Sequence, residues 1–325
     1  MRVDVMKHYG LTVPLNQAGY YETSHNQQLM SDIRGAILDG RLVALSGVIG
    51  IGKTVMLERI RQALEEEKHV IVSQSFAIDK RAIKLSTLVT ALFYDLSGDK
   101  QMRVPTDIET RDRQLHELIK KRKRPVALFI DEAHDLNTYT LTSLKRLIEL
   151  ARSGGGGGRL SVVLAGHPKL RNDLRRPTME EIGHRTTLFS LDGITGSQRE
   201  YIYWLLETCT EGQVEAESIL SEDAIYLLSS KLRTPLQIED YLTQALTAGY
   251  QTGERPVSVE IVNTVLTRHS DDIEATLTRN GYRIKDLAEQ FDVKPAEIRA
   301  LFTQTLDPVR TSELREKMLK AGLPI

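Results

Sequence analysis

Two short stretches of this sequence combine residue types at spacings that do chemistry. Gly47-Val48-Ile49-Gly50-Ile51-Gly52-Lys53-Thr54 follows the pattern G-x-x-x-x-G-K-[ST], in which backbone N–H groups wrap phosphates. The glycines let the backbone come close, and the N-terminus of a following helix adds favourable partial charge. Lys53 would reach the β- and γ-phosphates, and the Thr54 hydroxyl would sit on Mg²⁺. The second stretch, Val126-Ala127-Leu128-Phe129-Ile130-Asp131-Glu132, carries an acidic pair to the C-terminal end of an apolar strand, where open α/β sheets bind ligands. Asp131 would hold Mg²⁺, directly or through water. Glu132 would polarise the attacking water, from which it must be within hydrogen-bond reach. Taken singly, the first stretch also fits a Gly-rich turn and the second a polar strand end; together they read as an ATPase site. The nucleotide-binding set is Gly47, Val48, Gly50, Ile51, Gly52, Lys53, Thr54 and Met56, with Thr54 and Asp131 as the metal ligands.

Such a site must be held by strands that end at it and a helix that starts from it. Leu42 to Leu45 is a short apolar run bounded by glycine and reads as a buried strand, with a helical pattern from Lys53 to Glu66 behind it. His69–Val72, Val126–Ile130 and Leu160–Ala165 read as further strands, separated by helices at Ile83–Leu96 and Leu141–Ala151. Strands with apolar cores alternating with helices predict an α/β domain, a parallel sheet covered on both faces. Ser24–Leu38 has Leu29, Ile33 and Ile37 at helical spacing, Ser24 as N-cap and Gly40 as a stop. Ser153 and the glycine run Gly154–Gly158 form a connector.

Beyond about Ile194 only helices are legible: Gln198–Leu206, Glu222–Lys231, Leu236–Ala248 and Val259–Thr267. A helical run after an α/β unit reads as an all-helical lid. A polar stretch, His269–Arg279, leads to Arg283–Ile298, where Leu287, Ala288, Val293 and Ile298 have the core spacing of a helix-turn-helix and Pro295 fits the first turn of its second helix. The expected organisation is an N-terminal extension (1–40), a nucleotide-binding α/β domain (41–194), a lid (195–268), and a linker with a helix-turn-helix-like module (269–325).

The chain of 325 residues has 41% hydrophobic and 27% charged residues, enough apolar material for about two domains. Its 43 Lys and Arg against 44 Asp and Glu exclude a wholesale polybasic coat but not a local basic face. One cysteine, Cys209, excludes an intramolecular disulfide and a Cys-rich metal site and fits a reducing cytoplasm. No apolar run reaches the ~18 residues of a membrane span, and the first ten residues lack the apolar core of a signal peptide. A soluble, cytoplasmic protein is expected.

At Asp131-Glu132-Ala133-His134, with Val163-Leu164-Ala165-Gly166-His167-Pro168 and the opening His8-Tyr9-Gly10-Leu11, the chain resembles AAA+ ATPases. More narrowly it resembles the ExeA-like and transposition-regulator branch that includes MuB, TnsC, TniB and IstB. The resemblance covers roughly residues 8–250 and implies ATP rather than GTP, a homo-oligomeric ring or filament, and the AAA+ P-loop sheet followed by a helical lid. It implies that His167 is the polar sensor ending the fourth strand, bridging the γ-phosphate and the attacking water; a capped strand end is the alternative. It also implies that Arg185 is the arginine finger acting on a neighbouring subunit's nucleotide, with Arg175 and Arg176 as competitors. The family's lid carries Gly-x-Pro-Arg, whereas this chain reads Arg233-Thr234-Pro235-Leu236. Leucine stands where the second sensor arginine is expected, which puts the coupling of hydrolysis to lid closure in question.

Ser73–Arg124 holds 12 Lys/Arg against 7 Asp/Glu. In related transposition ATPases the region of Lys80, Arg81 and Lys84 tracks a DNA backbone, a contact that is sequence-independent and salt-sensitive; a solvated face is the alternative. Lys120–Arg124 ends a helix, where cations complement the dipole without any ligand. Lys294 and Arg299 would be offered to DNA by the helix-turn-helix, yet residues 282–325 hold 8 Lys/Arg and 7 Asp/Glu, which suits a protein partner equally. The leading expectation is an ATP-dependent regulator of DNA transposition that assembles on duplex DNA and presents it to a transposase. The alternatives are an ExeA-like secretion-type ATPase and a nucleotide-switched transcription regulator.

Overall fold

The computed structural model describes residues 1–74, 84–97, 104–152, 159–175, 179–268, 273–274, 277, 282–321 and 323. The glycine run 154–158, Lys80, Arg81 and Arg176 lie outside the described residues. Two compact units are present, residues 24–47 with 52–191, and residues 1–23 with 48–51 and 192–325. The segment 1–40 therefore contributes to both.

The first unit is built on a parallel sheet in the order β2-β3-β4-β1-β5, with β1 Leu42–Ser46, β2 Ile71–Gln74, β3 Val126–Ile130, β4 Leu160–Gly166 and β5 Thr186–Ser190. Every residue of β1, β3 and β4 is buried, as expected of central parallel strands covered on both faces. The expected α/β parallel sheet is thus observed. The second strand begins two residues later than its apolar pattern suggests. The helix before it ends at Glu67 with Lys68 left-handed (φ 56°), and pairing starts only where Ile71 meets Val126.

β5, Thr-Thr-Leu-Phe-Ser, has no counterpart in the sequence reading. Its residues are mostly half-buried and it pairs along one edge with β1, so it lacks the apolar run that marks a central strand.

Helices α2 (Ser24–Leu38), α3 (Lys53–Glu67), α4 (Leu85–Ser97), α5 (Ile108–Arg122), α6 (Thr138–Arg152), α7 (Pro168–Leu174) and α8 (Glu180–Gly183) complete this unit. α6 starts a turn earlier than its apolar residues indicate, because the Asn137 side chain accepts from the Thr140 N–H at 2.8 Å and caps a polar first turn. One core joins α4 and α6 to the strands, with Leu88, Leu92, Phe93, Leu128, Leu144 and Val162 among its members.

The second unit is helical. α9 (Gln198–Thr210), α10 (Glu222–Lys231), α11 (Pro235–Thr252) and α12 (Val259–Arg268) enclose a core that includes Ile202, Leu205, Leu228, Leu242 and Val262. α11 opens with a capping box between Thr234 and Gln237 and with Pro235 in the first turn. α1 (Val3–Tyr9) joins this unit: Tyr9 is buried and its hydroxyl donates to the Glu254 carbonyl at 2.9 Å.

The C-terminal part holds α13 (Ile284–Phe291), α14 (Pro295–Phe302) and α15 (Pro308–Lys320) around Leu287, Ile298, Leu301, Leu314 and Met318. α13 and α14 are joined through Asp292 in a left-handed conformation (φ 51°), the two-helix arrangement its sequence suggests. Phosphate-loop residue Ile49 packs against this C-terminal core.

Candidate nucleotide site

The site forms where β1 and β3 end. Gly50 (φ 77°) and Gly52 (φ 102°) both take the left-handed conformation, which side-chain-bearing residues adopt at a cost of about 1–2 kcal/mol. Gly50 has a second constraint, since a Cβ there would lie 2.5 Å from Cβ of Leu236. The leucine that replaces the family's expected arginine therefore closes over the loop backbone. Arg233 sits at the entry to α11 with its backbone N–H on Gln237 at 3.0 Å.

Gly52 caps α3, Lys53 is its first residue, and the Met56 N–H donates to the Gly52 carbonyl at 2.9 Å. Met56 is buried behind the loop, and so is Ile51, which closes on Gly193. Val48 and Gly47 complete the turn out of β1. Lys53 is 7% exposed and its Nζ donates to the Gly47 carbonyl at 2.9 Å. Burial pulls its pKa down, opposed by the negative charge of Glu132 and Asp131. An ammonium with so little water around it favours a polyanion that would replace the missing solvation.

Asp131 follows β3 directly. Its Oδ2 accepts from the Thr54 hydroxyl at 2.8 Å and its Oδ1 from the Glu132 N–H at 2.8 Å. Two oxygen donors of different motifs meet here, a donor set that fits Mg²⁺, which takes one or two protein oxygens and completes its shell with phosphate and water. Among the described residues no group of three or more His, Cys, Asp or Glu is placed to hold a metal by itself. Glu132 adopts the left-handed conformation (φ 55°, ψ 36°), and its Oε2 lies 3.2 Å from Nδ1 of His134.

His167 follows β4 and is the N-cap of α7, its Nδ1 accepting from the Lys169 N–H at 3.4 Å. It is 8% exposed, and burial, with the nearby His134, Lys53 and Lys169, lowers its pKa to about 3. The structure thus brings His167 to the same strand edge as Asp131 and gives it the capping contact as well.

Arg185 stands elsewhere, immediately before β5, at the edge where the parallel strands begin. It lines a cleft of about 710 Å³ with Leu42, Lys145, Glu149, Arg152 and Arg159. Its guanidinium pairs with Glu149 and is 57% exposed, and Lys145 bridges Glu149 and Glu181. This cationic cluster was not legible in the sequence, because Lys145 and Arg152 of α6 meet Arg41 and Arg159 from segments distant in the chain. Of the expected DNA contacts, Lys84 is exposed just before α4. Arg122 turns back to the Leu96 carbonyl at 2.7 Å, in keeping with its place at a helix end. Lys294 and Arg299 are exposed.

Residues 37–174 match the family model described as an AAA domain. The chain has the AAA+ fold. By sequence it is similar to General secretion pathway protein A of Aeromonas hydrophila, 28% identical over 168 residues, covering 52% of this chain and 30% of that protein. The chain therefore matches less than a third of that relative's length. In fold it is similar to Cdc6p of Pyrobaculum aerophilum, with TM-score 0.52, 16% identity, and 98% and 90% of the two chains covered. It is also similar to Drosophila ORC bound to DNA, with TM-score 0.50, 15% identity, and 97% and 82% covered. No described helix of the chain is long and apolar enough to cross a membrane.

Proposed function

We propose that this AAA+ chain binds and hydrolyses ATP with Mg²⁺ and works as a homo-oligomer on duplex DNA, regulating DNA transposition by presenting target DNA to a transposase. The observation that carries the ATPase reading is the meeting of Thr54 and Asp131 beside the buried Lys53. Lys53 would bind the β- and γ-phosphates, Thr54 and Asp131 would hold the metal, and Glu132 would accept a proton from the attacking water. Bound Mg²⁺ would supply neutralisation of phosphate charge. His167, at the end of β4, would orient the γ-phosphate.

Arg185 supports the oligomer reading by its place. It immediately precedes β5 while Gly47, Asp131 and His167 follow the ends of their strands, so it lies at the opposite edge of the sheet from that site and would serve a neighbour's nucleotide. The DNA reading is supported by the basic segment 73–124 and by likeness in fold to Drosophila ORC bound to DNA. The transposition reading draws on the sequence resemblance alone. The likeness to a general secretion pathway protein favours a second reading, an ATPase energising a secretion machine in the cytoplasm through a membrane partner.

Anisotropy of a labelled random-sequence duplex, with and without a non-hydrolysable ATP analogue and with Lys53→Ala beside wild type, separates the two. Nucleotide-dependent, salt-sensitive binding lost in Lys53→Ala supports the DNA-loaded ATPase. Absence of binding at low salt favours the secretion reading, and binding without nucleotide points to the helix-turn-helix.

A further inference from the structure

We propose that His134 is a positioning residue for Glu132, linking that carboxylate to the end of β4 at His167. The proposal rests on the reading of Glu132 as the group that accepts the proton of the attacking water. Glu132 is held in a backbone conformation that a glutamate does not favour, so something must determine where its carboxylate points. Its N–H is tied to Asp131 Oδ1 at 2.8 Å, and its Oε2 meets Nδ1 of His134 at 3.2 Å.

His134 is itself placed by the sheet. A Cβ at Gly166, the last residue of β4, would lie 3.1 Å from the His134 backbone nitrogen and 3.4 Å from its Cβ, so the short turn Ala133–Asp135 lies directly against that strand end. The His167 N–H points at the same Nδ1 at 3.4 Å, and the two imidazole rings lie 5.9 Å apart. One nitrogen cannot donate and accept with the same hydrogen. With a proton on Nδ1 it donates to Glu132; without one it accepts from the His167 N–H. The tautomer of His134 therefore decides whether the carboxylate is held, and β4 competes for the same atom. Burial lowers the pKa of both histidines, which keeps both rings neutral and the choice a matter of tautomer.

The test uses the full chain with Mg²⁺ and ATP, comparing His134→Ala, His134→Asn and His134→Gln. The asparagine amide nitrogen falls where Nδ1 is, whereas the glutamine amide reaches toward the Nε2 position. We expect His134→Ala to lower kcat by about tenfold or more with the affinity for a fluorescent ATP analogue unchanged within about twofold. His134→Asn should restore most of kcat, and His134→Gln should not. Glu132→Gln, run alongside, separates the two levels of the argument. If Glu132→Gln turns over at the wild-type rate, the reading of Glu132 is wrong. If Glu132→Gln is inert while His134→Ala keeps its kcat, or if the asparagine and glutamine variants behave alike, the positioning role is overturned. Loss of analogue binding in His134→Ala with a normal melting curve would also overturn it, since the effect would then lie on binding.

Discussion

The Thr54 hydroxyl donates to Asp131 Oδ2 across 2.8 Å, joining two motifs 77 residues apart in the chain. The first residue after a buried central strand and the second residue of the helix that follows the phosphate loop share one hydrogen bond. The proposed metal ligands therefore stand side by side, within one hydrogen bond of each other.

Asp131→Asn keeps the acceptor oxygen for Thr54 but removes the charge that a divalent cation requires. Phosphate release from ATP should fall by about 100-fold or more and should not be recovered by raising Mg²⁺. Chelation of Mg²⁺ in the wild type should have the same effect. A near-normal rate in Asp131→Asn would remove this carboxylate from the metal site.

Gly50→Ala meets two obstacles, the left-handed backbone and the 2.5 Å approach to Leu236. Titration with a fluorescent nucleotide should show affinity weakened by about tenfold or more. Adding Leu236→Gly should recover only part of the loss, because removing the whole side chain, Cβ included, makes space and leaves the conformational cost of about 1–2 kcal/mol in place. Full recovery would mean that crowding alone matters.

Arg185, paired with Glu149, lies at the opposite edge of the sheet from its own nucleotide site. Arg185→Ala and Lys53→Ala should each abolish hydrolysis, and mixing the two proteins should restore a fraction of it. In a mixed assembly an Arg185→Ala subunit retains its phosphate loop and receives the finger of a Lys53→Ala neighbour. Two inactive proteins that stay inactive when mixed, while still co-sedimenting, would assign the finger to another residue.

His167 should make folding stability depend on pH. Its pKa is about 3 in the folded chain against an ordinary 6.5. Between these values the unfolded chain binds a proton that the folded chain refuses, so stability is lost as pH falls below the ordinary value. At pH 5 the loss from this one group is roughly 2 kcal/mol. His167→Asn keeps a side chain able to cap α7 and carries no titrating group, so urea midpoints at pH 7.5 and pH 5 should lie closer together than in the wild type. An equal spread in both proteins would show that His167 is not the titrating group.

Much of the site was legible from residues alone because its chemistry is local. Gly47–Thr54 specifies a backbone path, and the glycines at 50 and 52 do take the positive φ values that such a path needs. Val126–Ile130 is apolar throughout because it lies in the middle of the sheet, so its end at Asp131 was marked as well. The helices of the second unit showed their own periodicity. The edge strand Thr186–Ser190 did not, since one open side and half-buried residues leave it no continuous apolar run. α7 and α8 were too short for their periodicity to register.

The sequence by itself determined the phosphate loop, the acidic strand end and the alternation of strands and helices, since each depends on neighbours a few residues away. Only the tertiary structure decided that His134 lies between Glu132 and His167, that Leu236 covers Gly50, and that Arg185 shares a cationic cleft with residues of α6 and β1. Apart from the local pair Glu132 and His134, those relationships join positions from 33 to 186 residues apart in the chain, where spacing carries no signal. They exist because parallel strands out of sequence order bring distant segments together at both ends of the sheet, because the chain brings a later helix back against the loop, and because buried polar groups must find partners among whatever is assembled there.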